Sequence, residues 1–429
     1  MEIDYFLVFG AIFFVFALLS RRIEGSPITG PLLFTGAGFA IAACLNALGH
    51  SEAMVSETAL HTLAELTLVL VLAADASRIS ARSLFRFRSI PMRLLLLGLP
   101  MTIALGAVAG KFILVDTIWI EAALIAAILA PTDAALGASV LAEKSVPLRI
   151  RQSLNVESGL NDGISLPAVL FFACFLNMTH QTGEVNWLQF LALQLSLGPL
   201  TGVVAGWVGG HLIGLAASRN WISETYQGVA AMALALVAFA AAEQIGGNGL
   251  IAAFVCGLVY GNLKVTYSHF LHDFTETQSE LLSLLTFMFF GLAVLPHAID
   301  AVTPEIALYA LTSLTVVRML PVAISMIGLG LHLPSLGFLG WFGPRGLASL
   351  LFALLVLEDL GVEAAERIET VVAITVLMSI TLHGLSSGIL SRAYGRWAAK
   401  GTGDMCPENA EPQMEGMFAK AARLKVTNA

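Results

Sequence analysis

The sequence predicts an all-α membrane protein that crosses the bilayer many times, and three observations support this prediction. The 429 residues are 57% hydrophobic and only 12% charged, whereas soluble domains carry about 25% charged residues. The mean hydropathy is +0.83. The apolar runs are roughly 16–25 residues long, which suits membrane helices, and most lack the alternation of a transmembrane barrel strand.

Thirteen hydrophobic segments are predicted to form the transmembrane helices. They cover approximately residues 3–20, 30–48, 57–76, 92–114, 118–142, 148–176, 187–217, 225–245, 247–262, 276–296, 303–328, 337–358 and 366–391. The seventh is long enough to be tilted or to contain an interfacial turn at Gly198-Pro199.

The distribution of positive charge predicts the orientation. Eighteen of the 22 Lys and Arg residues fall on one side of this map, two on the other and two within segments. Because cytoplasmic loops are rich in Lys and Arg, the N-terminus is predicted outside and the C-terminus inside. Glu2 and Asp4 before the first segment, with Arg21 and Arg22 after it, favour a retained helix over a cleaved signal peptide.

The chain is therefore expected to have two parts. Residues 1–392 would form a transmembrane domain in the cell (inner) membrane, and residues 393–429 a polar cytoplasmic tail. The stretch "MFAKAARLKV" in the tail fits either a short surface helix or disorder.

Two segments contain signals that break a helix near the middle of the membrane. "ILAPTDAALGAS" places Pro131 before Thr132 and Asp133 in the fifth segment, and "LGWFGPRGLASLL" places Gly343-Pro344-Arg345-Gly346 in the twelfth. Proline removes a helix hydrogen bond and clashes with the preceding turn. The two segments are seven apart and so run in opposite directions, which is typical of inverted-repeat transporters; two ordinary proline kinks are the alternative.

The sixth segment contains a polar group in "NVESGLNDGISLP". Glu157 and Asn161 share one helix face, while Ser158 and Asp162 share the next. Since a charge in the bilayer centre costs ~2.5–3.5 kcal/mol or more, these groups need partners, and either Arg345 or Arg318 could neutralise a buried Glu. A charge-balanced structural network is one interpretation. Asp133, Glu157 and Asp162 exceed the available Arg, however, which favours a cavity that binds a small cation such as Na⁺ or Li⁺ or, in its place, a proton.

Several stretches resemble one known family. "APTDAALGASVLAEKSVPLRIRQSLNVESGLNDGISLPAVLFF", "SPITGPLLFTGAGF", "FMFFGLAV" and "GPRGLAS" are similar to the monovalent cation:proton antiporter family, in its NhaP-like sodium/proton exchanger branch. The resemblance extends through about residues 3–395. It implies a transporter fold of the NhaA/NhaP type, with inverted repeats and two broken helices.

The resemblance also implies which residues bind the ion. Asp162 matches the essential carboxylate that carries the ion or the proton. Asp133, Ser158 and the main chain at Thr132 match contributors to the cation site, so that Na⁺ would lie among these four residues.

A second group matches the network that supports the site. Glu157 is expected to pair with Arg345, and Asn161 to connect the sixth helix to the unwound part of the fifth. Arg318 looks like a second buried basic residue. Because Asn161 stands where electrogenic relatives have Asp, the resemblance implies electroneutral one-for-one exchange.

One position departs from some archaeal-type relatives, which carry a Glu near the ion in the third helix. This chain has Ala73-Ala74-Asp75 there. Asp75 either supplies the nearby charge or forms a cap beside Arg78 at the cytoplasmic end, and the nearby basic loop favours the cap.

The function expected from the sequence is secondary sodium(lithium)/proton antiport by alternating access, with potassium/proton antiport as the alternative. No cofactor is expected beyond the transported ions. A channel, a sensor or an enzyme is disfavoured, because the tail is short and nothing resembles a nucleophile–base pair or a nucleotide loop. Neither a basic stretch interleaved with aromatic residues nor another nucleic-acid signal occurs. The family resemblance implies a homodimer formed through a scaffold.

Overall fold

A computed structural model describes residues 5–23, 28–48, 57–79, 89–133, 143–178, 187–263, 269–357 and 362–400, with residues 136, 137, 140 and 360 between them. Within these residues the regular structure is entirely helical. The all-α prediction is therefore confirmed.

The described part of the chain forms fourteen helices. They are α1 (Tyr5–Ile23), α2 (Gly30–Ala47), α3 (Glu57–Arg78), α4 (Ser89–Ile113), α5 (Trp119–Ile128), α6 (Leu148–Met178), α7 (Trp187–Ser218), α8 (Glu224–Gln244), α9 (Gly249–Gly261), α10 (269–301), α11 (Pro304–Ser325), α12 (Leu333–Trp341), α13 (Leu347–Leu357) and α14 (Val362–Lys400). Helices α4 and α10 each contain a π-helical turn, at Leu94–Gly98 and Phe290–Val294.

Eight of these helices in the described ranges are long and apolar enough to cross a membrane: α2, α4, α6, α7, α8, α10, α11 and α14. Three shorter helices, α5, α9 and α13, are also apolar. The prediction of a multi-pass membrane protein is confirmed. Each of the thirteen predicted segments contains at least one helix, while the count of thirteen crossings stays a prediction.

Helix α7 is continuous across the position where the sequence allowed a turn. Pro199 lies inside the helix. Its neighbours Gly198, Gly202 and Gly206 lie so close to the backbone of α9 that a Cβ on any of them would meet a main-chain oxygen. The small residues let the two helices pack closely, and membrane helices tolerate proline when neighbours cover the freed backbone groups.

Two other helices differ from what the sequence predicted, one by an interruption and one by its length. Helix α11 is interrupted at Thr315, whose φ of −108° and ψ of −89° are not helical, although no Gly or Pro marks the position. Helix α14 runs to Lys400, eight residues beyond the expected end of the transmembrane part at residue 392. The proposed "MFAKAARLKV" helix lies outside the described residues.

Contacts at the helix ends establish the relative directions of the broken segments. Arg367, near the start of α14, forms an ion pair with Glu121 at the start of α5, at 3.4 Å. At the other end, Tyr394 of α14 shares a hydrogen bond of 2.8 Å with Ser335, in the first turn of α12. Helix α5 therefore starts where α14 starts, and α12 starts where α14 ends. The two broken segments run in opposite directions, as predicted.

Both predicted breaks occur. Helix α5 ends at Ile128, three residues before Pro131. Helix α12 ends at Trp341, and residues 342–346 continue without helical structure until α13 begins at Leu347. Two broken helices running in opposite directions are the arrangement expected of an inverted-repeat transporter.

Candidate functional site

The two non-helical segments cross and hold each other through the main chain. The Asp133 N–H donates to the Pro344 carbonyl at 2.8 Å. The Leu347 N–H, at the start of α13, donates to Asp133 Oδ2 at 2.7 Å. An acidic side chain suits a helix N-terminus because it accepts an otherwise unpaired N–H and complements the helix dipole. Asp133 thus caps α13 from the opposite broken segment.

Arg345 performs the reciprocal task at the end of α5. Its side chain is fully buried, and Nη1 donates to the carbonyls of Ala130 and Pro131, the latter at 3.1 Å. These carbonyls lie in the non-helical stretch that follows the end of α5 at Ile128, and the buried guanidinium supplies their hydrogen-bond donor. Each broken segment therefore supplies a charged side chain that pairs with main-chain groups of the other.

Two glycines make this crossing possible. A Cβ on Gly346 would overlap Asp133 Oδ2, and a Cβ on Gly343 would overlap the Arg318 guanidinium. Only a residue without a side chain allows the two charged groups to approach the segment so closely.

Helix α6 packs its polar face against the crossing. The Asn161 Nδ2 donates to Thr132 Oγ1 at 2.6 Å, and Thr132 Oγ1 lies 3.0 Å from Ser158 Oγ. Asn161 is buried, and its Oδ1 is also buried with no hydrogen-bond partner among the described residues. The chain of contacts from Asn161 through Thr132 to Ser158 joins α6 to the non-helical part of the fifth segment.

Asp162 differs from its neighbours in exposure. The residue is half-buried, whereas Glu157 and Asn161 are only 2% and 1% exposed. Its Oδ1 is buried and, within the described ranges, has no hydrogen-bond partner. Asp75 and Asp133 interact with it electrostatically. Asp162 is therefore a carboxylate that lies close to other carboxylates and has no basic partner in the described residues.

The expected partner of Glu157 requires a correction. Glu157 pairs with Arg318, at 2.6 Å from Nη1 to Oε1 and 2.9 Å from Nη2 to Oε2, and Arg345 binds carbonyls instead. The interruption at Thr315 lies three residues before Arg318 in α11, and it has no obvious sequence signal. The sequence therefore offers no reason to prefer Arg318 over Arg345 as the partner of Glu157.

Asp75 shows features of both interpretations. Its carboxylate lies 3.6 Å from Arg78 in the last turn of α3, with both side chains about one-quarter exposed, which agrees with the cap. It also interacts electrostatically with Asp162.

Two residues of α14 that sequence reasoning missed also reach the crossing. The Arg345 N–H donates to Ser379 Oγ at 2.7 Å, and His383 lies one turn further along the same face. Both are buried. No specific sequence signal marks these two residues, because α14 contains many other Ser, Thr and charged residues.

Comparison with known proteins identifies the family. The model of the family described as "Sodium/hydrogen exchanger, transmembrane" matches residues 7–393. The chain belongs to this family. The resemblance inferred from the sequence is confirmed, and the family is one of transporters rather than enzymes.

Curated members of the wider group carry two kinds of name. The K(+)/H(+) antiporter NhaP2 of Shewanella sp. strain ANA-3 is 25% identical over 292 residues, which cover 67% of this chain and 50% of that protein. The Na(+)/H(+) antiporter of Schizosaccharomyces pombe is 25% identical over 300 residues, covering 62% and 63%. The chain thus spans about half the length of the NhaP2 relatives it matches.

The fold matches a solved structure. The sodium proton antiporter MjNhaP1 of Methanocaldococcus jannaschii superimposes with a TM-score of 0.73 at 17% identity, covering 92% of this chain and all of that one. The chain therefore has the NhaP-type fold predicted from its broken helices.

Proposed function

We propose that this exchanger is a secondary active antiporter that moves Na⁺ or Li⁺ against H⁺, with cation and proton competing for Asp162. The observation that carries the proposal is the buried, unpartnered Oδ1 of Asp162 beside the crossing of two broken helices. A carboxylate that bound a permanent basic partner could not alternate between two ions. Asp162 is half-buried and has no such partner in the described part of the chain.

The remaining cation ligands are proposed to come from the residues around Asp162. Ser158 offers a hydroxyl one turn before Asp162, and Thr132 offers its main-chain carbonyl in a segment without helical hydrogen bonding. Asp133 uses Oδ2 to cap α13 and would contribute mainly negative charge. Carboxylate, hydroxyl and carbonyl oxygens are the ligands that hard cations prefer.

A separate group of residues is proposed to hold the site without binding the ion. Glu157 and Arg318 neutralise each other in a fully buried pair. Asn161 fixes Thr132, and Arg345 fixes the end of α5. Because all four residues are buried and already paired within this network, they are proposed to support the site rather than to carry the ion.

The charge balance of the site favours one-for-one exchange. Asp133, Glu157 and Asp162 supply three negative charges, and Arg318 and Arg345 supply two positive charges. A single Na⁺ or a single proton restores neutrality. Since a net charge at membrane depth is costly, the low-energy states of the carrier hold one ion of either kind. Asn161, being neutral, adds no second carboxylate. We therefore infer electroneutral transport.

Potassium/proton exchange is the second candidate. The NhaP2 relatives are named K(+)/H(+) antiporters, and the same oxygen ligands can bind either ion. Selectivity depends on small differences in the size and stiffness of the cavity.

Alternating access is proposed to move the crossing and α6 as one body against a scaffold through which two copies form a homodimer. The transmembrane domain would lie in the cell (inner) membrane with its C-terminus in the cytoplasm, because Lys and Arg cluster on that side.

Reconstitution into liposomes tests the exchange. With an imposed pH gradient, addition of Na⁺, Li⁺ or K⁺ should dissipate the gradient in the wild type and fail to do so in Asp162→Asn. Asp300→Asn, an exposed carboxylate near the end of α10, is the matched control and should behave as the wild type. Robust exchange by Asp162→Asn would contradict the assignment of the carrier.

Electroneutrality needs its own measurement. Ion gradients at steady state should be the same whether the membrane potential is clamped inside-positive, inside-negative or at zero. A steady-state gradient that follows the imposed potential would show that net charge moves in each cycle.

A further inference from the structure

The second broken segment is attached to α14 at both of its ends. At one end, the Arg345 N–H donates to Ser379 Oγ at 2.7 Å, and both residues are fully buried. At the other end, Trp341 Nε1 donates to Ser386 Oγ at 3.0 Å. Ser379 and Ser386 lie seven residues apart on α14, so they face the segment from the same side of that helix.

His383 lies between these two attachments. Its ring packs on Trp341 with centroids 4.9 Å apart, and its Nδ1 lies 3.0 Å from the Ser379 carbonyl and 3.3 Å from Ser379 Oγ. The histidine thus fills the space between Ser379 and Trp341 and restricts the rotamer that the serine hydroxyl can adopt.

The attachment at Arg345 bears on the whole crossing because the segment has few hydrogen bonds of its own. Pro344 has no N–H, and the Gly343 N–H donates locally to the Trp341 carbonyl at 2.8 Å. The Arg345 N–H is therefore the donor that links the non-helical segment to a third, continuous helix. A buried N–H that loses its acceptor is costly, so the segment would shift to find another.

A shift of Arg345 would be transmitted to the proposed ion ligands. The Arg345 guanidinium holds the carbonyls of Ala130 and Pro131, and the Pro344 carbonyl holds the Asp133 N–H. Thr132 lies between these two attachment points. Its position relative to α6 therefore depends on the position of Arg345, and hence on Ser379.

We propose that Ser379 is a positioning residue that sets the size of the cation cavity by fixing the Arg345 main chain, with His383 holding the serine hydroxyl in place. Neither residue touches the ion. The inference rests on the proposed function, since it assumes that Thr132, Asp133 and Asp162 bind the cation. It assigns part of the selectivity among Na⁺, Li⁺ and K⁺ to a residue of α14 outside the ligand set.

The test compares two buried serines of the same helix. Ser379→Ala removes the acceptor for Arg345. Ser387→Ala is the matched control, because Ser387 is equally buried but donates only to Gly384 O of its own helix, at 3.0 Å. Both purified variants are reconstituted, and the apparent KM and maximal rate are measured separately for Na⁺, Li⁺ and K⁺.

Ser379→Ala should raise the apparent KM for the preferred cation about tenfold, as expected for one buried hydrogen bond, and should change the ratio of the KM values among the three cations. The maximal rate should fall less than twofold. Ser387→Ala should leave KM and the ratio unchanged. Ser379→Cys, which keeps a side-chain heteroatom at this position but is larger and a weaker acceptor, should give an intermediate KM and provides a second variant if the alanine folds poorly.

Three results would overturn the inference. Unchanged KM values, with an unchanged ratio among the three cations, in both Ser379 variants would show that the contact does not set the size of the cavity. Equal effects of Ser379→Ala and Ser387→Ala would show the same. A lower maximal rate at constant KM would indicate a purely structural role. These results are distinct from failure of the proposed function, which would appear as an absence of exchange in the wild type and would remove both proposals.

Discussion

Glu157 of α6 and Arg318 of α11 form a two-pronged ion pair, at 2.6 and 2.9 Å, in which both side chains are almost completely buried. The pair joins the helix that carries Asp162 to a helix interrupted at Thr315, and Arg318 lies against the backbone of Gly343. It therefore connects α6 and α11 to the broken segment between α12 and α13.

Loss of one partner of this pair should destabilise the protein strongly. Arg318→Met leaves the Glu157 carboxylate buried without its counter-ion, which typically costs ~3–5 kcal/mol. Thermal unfolding in detergent should show a clear decrease in Tm for Arg318→Met and for Glu157→Gln. The double variant Glu157→Gln/Arg318→Met should recover part of the loss, because it leaves no buried charge. A single variant with the Tm of the wild type would contradict this role.

Gly346→Ala should disrupt the crossing. The added methyl would overlap the Asp133 carboxylate, so either the cap on α13 or the Pro344–Asp133 hydrogen bond must break. We expect loss of most transport activity and a decrease in Tm. Gly337→Ala in α12 is the matched control, since a Cβ there has nothing within 4 Å, and it should be neutral or slightly stabilising. Equal behaviour of the two variants would show that the close approach is unimportant.

Asp133 is expected to have two roles that substitutions can separate: it caps α13, and it contributes negative charge to the cation site. Asp133→Asn keeps an oxygen that can accept from the Leu347 N–H, so its Tm should stay close to that of the wild type. Its apparent cation affinity should fall, because the negative charge is lost. Asp133→Ala should lose affinity and also about 1 kcal/mol of stability. Full cation affinity in Asp133→Asn would limit Asp133 to the cap.

The contact between Tyr394 and Ser335 should hold the end of α14 on α12. Tyr394→Phe removes the hydroxyl from a buried 2.8 Å hydrogen bond and should cost about 1 kcal/mol, measured as a lower Tm in detergent. Tyr226→Phe, at an exposed position of α8, is the control and should change nothing. A Tm for Tyr394→Phe equal to that of Tyr226→Phe would show that the hydrogen bond does not contribute.

The sequence was sufficient for the features that rest on local chemistry. Pro131 and the Gly343–Gly346 stretch predicted where helices break, because proline removes a helix hydrogen bond and clashes with the preceding turn. Because the two segments are seven apart in the chain, an odd separation, they were predicted to run in opposite directions. The polar side chains of α6, from Glu157 to Asp162, indicated the functional face because burying them in an apolar helix is costly.

Features that depend on three-dimensional packing could not be predicted from the sequence. The predicted partner of Glu157 was wrong. Helix α11 is interrupted at Thr315, just before Arg318, and no Gly or Pro in the sequence indicates this interruption. The attachment of Arg345 to Ser379 spans 34 residues, and isolated polar residues in α14 suggested nothing specific. The continuity of α7 across Pro199 depends on the close contact of its glycines with α9, which the sequence of α7 alone does not reveal.

Competition between cation and proton at Asp162 can be measured as the release of protons when a cation binds. The purified protein in weakly buffered detergent solution is mixed with Na⁺, Li⁺ or K⁺, and the released protons are counted across a series of pH values. We expect up to one proton released per bound cation in the wild type, a yield that falls as the starting pH rises, and no release in Asp162→Asn. Cation binding without proton release at every pH, or undiminished release in Asp162→Asn, would contradict this competition.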